Sequence, residues 1–172
     1  SGVGYNVSKA LTALGDTVDL MALTGDDAAA VLARSALESH GISGAAVLPT
    51  LSHTPQSVVM YESSGRRAIF TDLKDIQEAA YPVAASERLL DGAALAVLCN
   101  INFSRPMLAL ARSRGLPIAS DVHAISDIHD AYNRDYMTAA TILFQSHERL
   151  PCEPWQWIHA LWETYHTPIS VI

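Results

Sequence analysis

The sequence predicts an α/β fold, a doubly wound and mostly parallel sheet into which a small β element of residues 45–72 is inserted. Three observations predict it. Short apolar runs of strand length alternate with stretches of helical periodicity. The links between them are short, as they are where crossover helices join parallel strands. Within 45–70 the period becomes that of strands, around a turn that carries a glycine. Residues 1–172 read as one such domain, and the inserted strands as a separate small sheet.

The first helix is expected from Val7, Ala10, Leu11 and Leu14 on one face, closed by Gly15. Residues 18–23 read as a strand. Asp26 or Asp27 can cap a second helix, whose apolar stripe is Ala29, Leu32, Ala33, Ala36 and Leu37 and which ends near Gly41. Residues 57–61 and 67–71 flank Glu62-Ser63-Ser64-Gly65-Arg66, a hairpin loop with glycine where positive φ is wanted. Beyond it, 95–99, 117–121 and 141–144 read as strands, separated by helices at 106–113 and about 128–139. A last helix is expected to pack through Trp155, Ile158, Leu161, Trp162 and Tyr165 before a strand at 169–172.

The 172 residues suffice for one cored α/β domain, and 49% hydrophobic against 17% charged residues excludes a disordered chain. The formal charge of −7, with no compensating basic cluster, argues against nucleic acid and anionic membranes as partners. No apolar run approaches the roughly 18–20 residues of a membrane helix. Cys99 and Cys152 have neither metal-ligand nor disulfide spacing, which fits reduced thiols and a cytoplasmic location. The chain opens at Ser1-Gly2 within a glycine turn and closes at Ile172 within an expected strand. It therefore reads as an internal fragment of a longer protein.

In open parallel sheets ligands sit beyond the carboxyl ends of the strands, so polar residues just past each strand are the site candidates. Gly2, Gly4 and Asn6 stand at the start of the first helix, where free N–H groups point outward and an amide can serve a pair of hydroxyls. An ordinary glycine turn with Asn6 as a local cap is the alternative. Asn100 and Asn102 follow one strand and can equally be turn formers. Asp121 and His123 follow the next; with two His and three Asp over 120–130 a metal site comes to mind, but no pair of His has the i, i+4 spacing and no Cys accompanies them. Gln145 and Glu148 follow the strand at 141–144, with capping of a short helix as the other reading of Glu148.

The string Ser1-Gly2-Val3-Gly4-Tyr5-Asn6, followed by small and apolar residues and Leu14-Gly15, resembles the amino-terminal signature of the ribokinase/PfkB family of carbohydrate and nucleoside kinases, with Ser1 in place of its first glycine. Residues 18–28, with Gly25-Asp26-Asp27, resemble that family's strand and Gly-Asp-Asp turn; Gly41-Ile42 matches its helix-to-strand step, and Thr54-Pro55 with the hairpin its lid strands. The likeness runs from Ser1 to about Leu150. It implies a ribokinase-like fold and a kinase that moves the γ-phosphate of ATP, with Mg2+, to a hydroxyl of a sugar, nucleoside or related polyol. Gly2, Gly4 and Asn6 would bind the acceptor, joined by Asn100, Asp121 and His123. Gln145-Ser146-His147-Glu148 resembles the family's Asn-x-x-Glu, so Gln145 and Glu148 would organise nucleotide phosphates and the Mg2+ water shell, Glu148 matching and Gln145 departing from Asn. A crevice shared by Asn6 and Glu148 is expected, and a homodimer through the lid hairpin.

The resemblance places the catalytic base and anion hole in a Gly-Ala-Gly-Asp segment, and no Gly-x-Gly-Asp occurs in this sequence. No catalytic residue is therefore expected here. The first strand of the family fold would also be missing, and the piece alone is expected to be inactive. A non-catalytic sugar or nucleoside sensor of the same fold is the competing function, favoured by the departures at Ser1, His123 and Gln145. A Rossmann-type dinucleotide binder fits poorly, because the third glycine and the downstream acid are absent.

Overall fold

The computed structural model describes residues 2–172 and divides them into two compact units, which meet in sequence between Tyr81 and Pro82. Ser1, the position that departs from the glycine signature, lies outside the described residues.

In the first unit, helix α1 (Val3–Leu14) starts from Gly2 and stops at Gly15, which is left-handed at φ 97° and returns its N–H toward the last turn. Strand β1 (Ala22–Leu23) pairs in parallel with β2 (Val47–Leu48), and helix α2 (Ala28–Ser39) connects them. The expected strand at 18–23 is thus two residues long, extended only by a single bridge from Asp19 to Ser43. The core of this layer is Leu37, Ile42 and Val47, with Tyr5, Leu20 and Ala22 against it. The helix faces differ from those expected. In α1 the buried residue is Ser8, whose hydroxyl bonds the Gly4 carbonyl, while Leu14 is exposed. In α2 the buried residues are Ala30 and Leu37, and Leu32 points outward. Apolar periodicity marks a helix, but both helices are apolar on more than one side, so the pattern does not say which side faces in.

The turn after β1 is locked to the chain beyond β2. Asp27 is the N-cap of α2, accepting from Ala30 N at 2.9 Å, and it also accepts from Thr54 N at 2.8 Å and the Thr54 hydroxyl at 2.7 Å. Thr54 in turn accepts from the buried Gly25 N–H at 3.0 Å. The hydrogen bond from Thr54 N, then that from Ala30 N, then the Thr54 hydroxyl hold the Asp27 carboxyl down to about 2. A folded-state value below the ordinary 3.8 stabilises the fold fully above that ordinary value, and the contribution is lost as pH falls through about 2. Asp27→Asn, which keeps a capping oxygen but no charge, is therefore expected to melt lower than the native chain at neutral pH. The gap should close in thermal melts carried from about pH 5 toward pH 2; a pH-independent gap would remove the carboxylate as its cause.

Strands β3 (Gln56–Tyr61) and β4 (Arg67–Asp72) form the anticipated hairpin, within one residue of the expected bounds, with Gly65 at φ 85° in its loop. Every residue of both strands is exposed. Val58, Met60 and Phe70 share one face by register, and each is about 60% exposed. An isolated two-stranded ribbon buries too little to be stable by itself in water.

The second unit opens with α3 (Val83–Leu90), a helix that is not among those expected from the sequence. Four strands follow, β5 (Ala96–Val97), β6 (Ile118–Asp121), β7 (Ile142–Phe144) and β8 (Ile169–Val171), all parallel and in sequential order. They are joined by α4 (Arg105–Ser113), α5 (Arg134–Ala139) and α6 (Pro154–Tyr165). Right-handed crossovers between strands in sequential order put all three helices on one face. That face holds the core: Met107, Leu108, Tyr136, Met137, Leu143, Trp157 and Leu161 are all buried. On the other face Val97, Phe144, Ile169 and Val171 are 37–49% exposed.

Two helices depart from expectation. Residues 128–133 are turns rather than the start of α5, because Asp127 accepts from His129 N, two residues on, instead of capping a helix. In α6 the inward residues are Trp157 and Leu161, whereas Trp155 and Trp162, taken as packing residues, are 68% and 47% exposed. Among the described residues no helix is long and apolar enough to cross a membrane.

Candidate functional site

The sequence candidates fall into one group in each unit. In the first, Gly2 is the N-cap position of α1 at φ 152°, with no side chain to satisfy the helix's first N–H groups. Gly4 lies inside the helix, not in a loop, and its carbonyl takes the Ser8 hydroxyl. Asn6 donates its main-chain N–H to the Gly2 carbonyl at 3.0 Å, and its side chain is exposed. It is therefore a residue of the first turn and not a cap.

In the second unit the candidates stand at the carboxyl ends of β5, β6 and β7, where a parallel sheet binds ligands. Asn100 follows β5. Its Nδ2 donates to Asn133 Oδ1 at 2.8 Å, and its carbonyl accepts from the Tyr132 hydroxyl at 3.0 Å. Asn102 begins a short 3-10 turn, Asn102–Ser104, and its Oδ1 faces the Arg105 guanidinium at 3.4 Å. Cys99, one residue before Asn100, is held up to about 11 by burial and then by the charge of Asp121, so its thiol stays protonated at neutral pH.

Asp121 ends β6. Its Oδ1 accepts from His123 N at 2.7 Å and lies 4.0 Å from His123 Nδ1. His123 sits at φ 58°, a left-handed conformation that a non-glycine residue seldom adopts. The bond that its own N–H donates to Asp121 Oδ1 and the bond from Ser146 N to its carbonyl, at 2.7 Å, hold it there. The β6 and β7 ends are thereby tied together. Backbone strain of this kind clusters at binding sites.

Gln145 continues the β7 ladder by donating its N–H to Val171 O at 3.0 Å, and it is only 7% exposed. Neither its Oε1 nor its Nε2 has a partner. A buried amide with both atoms unsatisfied costs free energy unless something outside the chain completes it. Glu148 lies three residues on, exposed, in the 3-10 turn His147–Arg149; Ser146 caps that turn by accepting from Glu148 N. Among the described residues no group of three or more His, Cys, Asp or Glu is placed to hold a metal ion.

Behind Asn100 lies a network that is not among the sequence candidates. Asn133 is 6% exposed, and its N and Nδ2 both donate to Asp130 Oδ1 at 2.8 and 3.0 Å. Tyr136 donates to Ile101 O at 2.6 Å and Arg105 bonds Asp135 and Tyr132 O, so the loop after β5 is clamped to the start of α5. The Asp-x-x-Asn spacing at 130–133 is a turn signature and could have flagged it.

This arrangement of strands, helices and hairpin recurs in solved structures. A microbiome-derived acarbose kinase matches over 99% of this chain at 20% identity, with a TM-score of 0.80, and 55% of its own length is covered. A PfkB-family carbohydrate kinase from Listeria grayi matches over 98% at 14% identity and a TM-score of 0.77, with 60% of its length covered. The chain has the ribokinase-like fold. A third ribokinase-like structure, the 2-dehydro-3-deoxygluconokinase of Thermotoga maritima, matches over 96% at 14% identity and a TM-score of 0.77, again with 60% of its length covered. The chain thus spans somewhat more than half the length of these ribokinase-like proteins. No family model and no curated protein sequence matches it.

Proposed function

We propose that this chain is the acceptor-binding part of a PfkB-type kinase, one that transfers the γ-phosphate of ATP to a hydroxyl of a sugar, nucleoside or related polyol. The observation that carries this reading is the fold itself: solved structures that share it over nearly the whole chain are small-molecule kinases. Acceptor hydroxyls are assigned to Gly2, Gly4 and Asn6 in the first unit, and to Asn100, Asp121 and His123 in the second. In-line phosphoryl transfer rests on positioning and charge neutralisation. The residues named here bind and orient; the base is assigned to a segment outside this sequence, which contains no Gly-x-Gly-Asp.

The residues present fit ATP with Mg2+. Glu148 offers an exposed carboxylate on the turn after β7, and the Gln145 amide, buried and without a partner, would have to turn outward to meet a phosphate. Magnesium keeps several waters and binds through phosphates with one or two carboxylates, so a carboxylate at the margin suffices. When bound, the ion neutralises charge on the transferring phosphoryl group.

The test is ADP release by the intact protein over a panel of sugars, nucleosides and polyols; no turnover on any of them would sink the reading. In the intact protein Asn6→Ala is expected to weaken acceptor binding by about 1–3 kcal/mol, the usual cost of leaving polar partners stranded. Calorimetry giving the native affinity would take Asn6 out of the site.

The lid hairpin is proposed to pair with that of a second copy. Its support is the exposed Val58, Met60 and Phe70 face on a ribbon too small to be stable uncovered. Phe70→Glu should shift the intact protein from dimer to monomer in sedimentation; a native protein already monomeric at micromolar concentration would exclude the pairing.

A further inference from the structure

The main chain that carries Asn100 is held from outside the sheet. Strand β5 ends at Val97, and Leu98 N still donates to Ala119 O at 2.8 Å. Past that bond the carbonyls of Asn100 and Ile101 accept from side chains, the Tyr132 hydroxyl at 3.0 Å and the Tyr136 hydroxyl at 2.6 Å. Two tyrosines one helical turn apart thus hold two successive peptide groups. The Asn100 side chain donates from Nδ2 to Asn133 Oδ1 at 2.8 Å, and it keeps its oxygen and a second N–H to offer a ligand.

One cation organises both rings. The Arg105 guanidinium lies 5.0 Å from the ring centre of Tyr132 and 4.9 Å from that of Tyr136. Its Nη1 donates to Asp135 Oδ2 at 2.9 Å and its Nη2 to Tyr132 O at 3.0 Å, with Asn102 Oδ1 at 3.4 Å. These contacts set where the rings stand, and with them where the two hydroxyls meet the chain at the end of β5. Arg105 opens α4, at the positive end of the helix dipole, where a cation is unfavourable. Arg114 closes the same helix at its negative end and is otherwise the same kind of group. Its side chain is 28% exposed against 27% for Arg105, and it bonds Asp91 Oδ1 at 2.7 Å and Glu87 O at 2.8 Å. At Arg114 the dipole and the ion pair agree. At Arg105 they conflict, and local conflicts of this kind gather at functional sites.

We infer that Arg105 is a positioning residue of the acceptor site: through the rings of Tyr132 and Tyr136 it sets where Asn100 stands at the end of β5. The inference rests on the kinase reading above and deepens it.

The test uses the intact protein with ATP and whichever sugar, nucleoside or polyol of the panel it turns over fastest, read as ADP release. Arg105→Lys keeps the charge but loses the fork of donors and the flat face that lies on the rings. It should raise KM for the acceptor about five- to tenfold while kcat stays within about twofold, as when binding is lost without change at the reacting atoms. KM for ATP should not move, since Gln145 and Glu148 follow β7 and take no part in the clamp. Arg114→Lys, matched in exposure and bonding, should leave all three constants native. An unchanged acceptor KM in Arg105→Lys overturns the inference. So does an equal rise in KM for ATP, or an equal rise in Arg114→Lys, because the loss would then be general. Should Arg105→Lys fail to fold, Tyr132→Phe decides, since it keeps the ring and removes only the hydroxyl from Asn100 O. A rise in its acceptor KM of about threefold or more supports the inference, and a native value defeats it. No turnover on any acceptor defeats the kinase reading and this inference together, whereas turnover with native constants in the variants defeats this one alone.

Discussion

Gly25→Ala is expected to cost about 3 kcal/mol, lowering the melting temperature by roughly 10 °C. A Cβ at this buried position would lie 2.8 Å from His53 Cα and Thr54 N and 2.9 Å from His53 C. These are backbone atoms, and they cannot swing aside as the end of a side chain can. Any shift of residues 53–54 also lengthens the bond from Gly25 N to the Thr54 hydroxyl, and that N–H is buried with Thr54 as its partner. Leaving it unmet adds about 1–3 kcal/mol to the steric term. Gly44→Ala is the control. Its Cβ would meet nothing within 4 Å, and its backbone is not left-handed. There the substitution should be neutral or raise stability by up to about 1 kcal/mol through the unfolded chain. Equal melting temperatures for the two variants would show that the turn after β1 is not packed against residues 53–54.

The contrast between these glycines shows what a single sequence conveys. Gly25-Asp26-Asp27 announces a turn and a cap, and the cap is there. That Asp27 and not Asp26 supplies it, and that Thr54 closes the turn from 27 residues away, depends on a long-range approach that no local pattern encodes. The hairpin was legible almost to the residue, because alternation and a glycine at positive φ are local signals. The short β1 and β2 were less so: two-residue strands in a two-stranded layer leave little periodic trace. Trp155 and Trp162 misled for a related reason, since aromatic residues at helical spacing imply a packed face only when something covers it, and here Trp157 and Leu161 take that place.

The site was legible as positions and not as contacts. That Asn100, His123, Gln145 and Glu148 follow strands and Asp121 ends one is a matter of counting along the chain. That Asn100 is held by a buried Asn133, 33 residues on, required the fold, as did the orphaned amide of Gln145. In the structure the Gln145 side chain is almost fully buried, and neither of its polar atoms has a partner within the chain.

Leu143→Ala is expected to destabilise the second unit by about 3–5 kcal/mol, toward the upper end for a buried leucine. Leu143 is fully buried on β7, between β6 and β8. Its register partners are Ser120 on one side and Ser170 on the other. Ser120 is pinned by a hydroxyl bond to Leu98 O at 2.7 Å, so it cannot lean into a void without giving up a buried hydrogen bond. Two small neighbours, one of them fixed, leave the cavity to be filled by α5 and α6, whose Tyr136 and Leu161 are themselves fully buried and held by other contacts. A site that cannot collapse keeps its cavity, and the cavity sets the cost. Leu143→Met, nearly equal in volume, should lose less than about 1.5 kcal/mol. Denaturant unfolding gives the free energies, and hydrogen exchange should locate the loss in the amides of β6, β7 and β8. A loss below about 1.5 kcal/mol for the alanine variant would mean that the helix-covered face repacks freely.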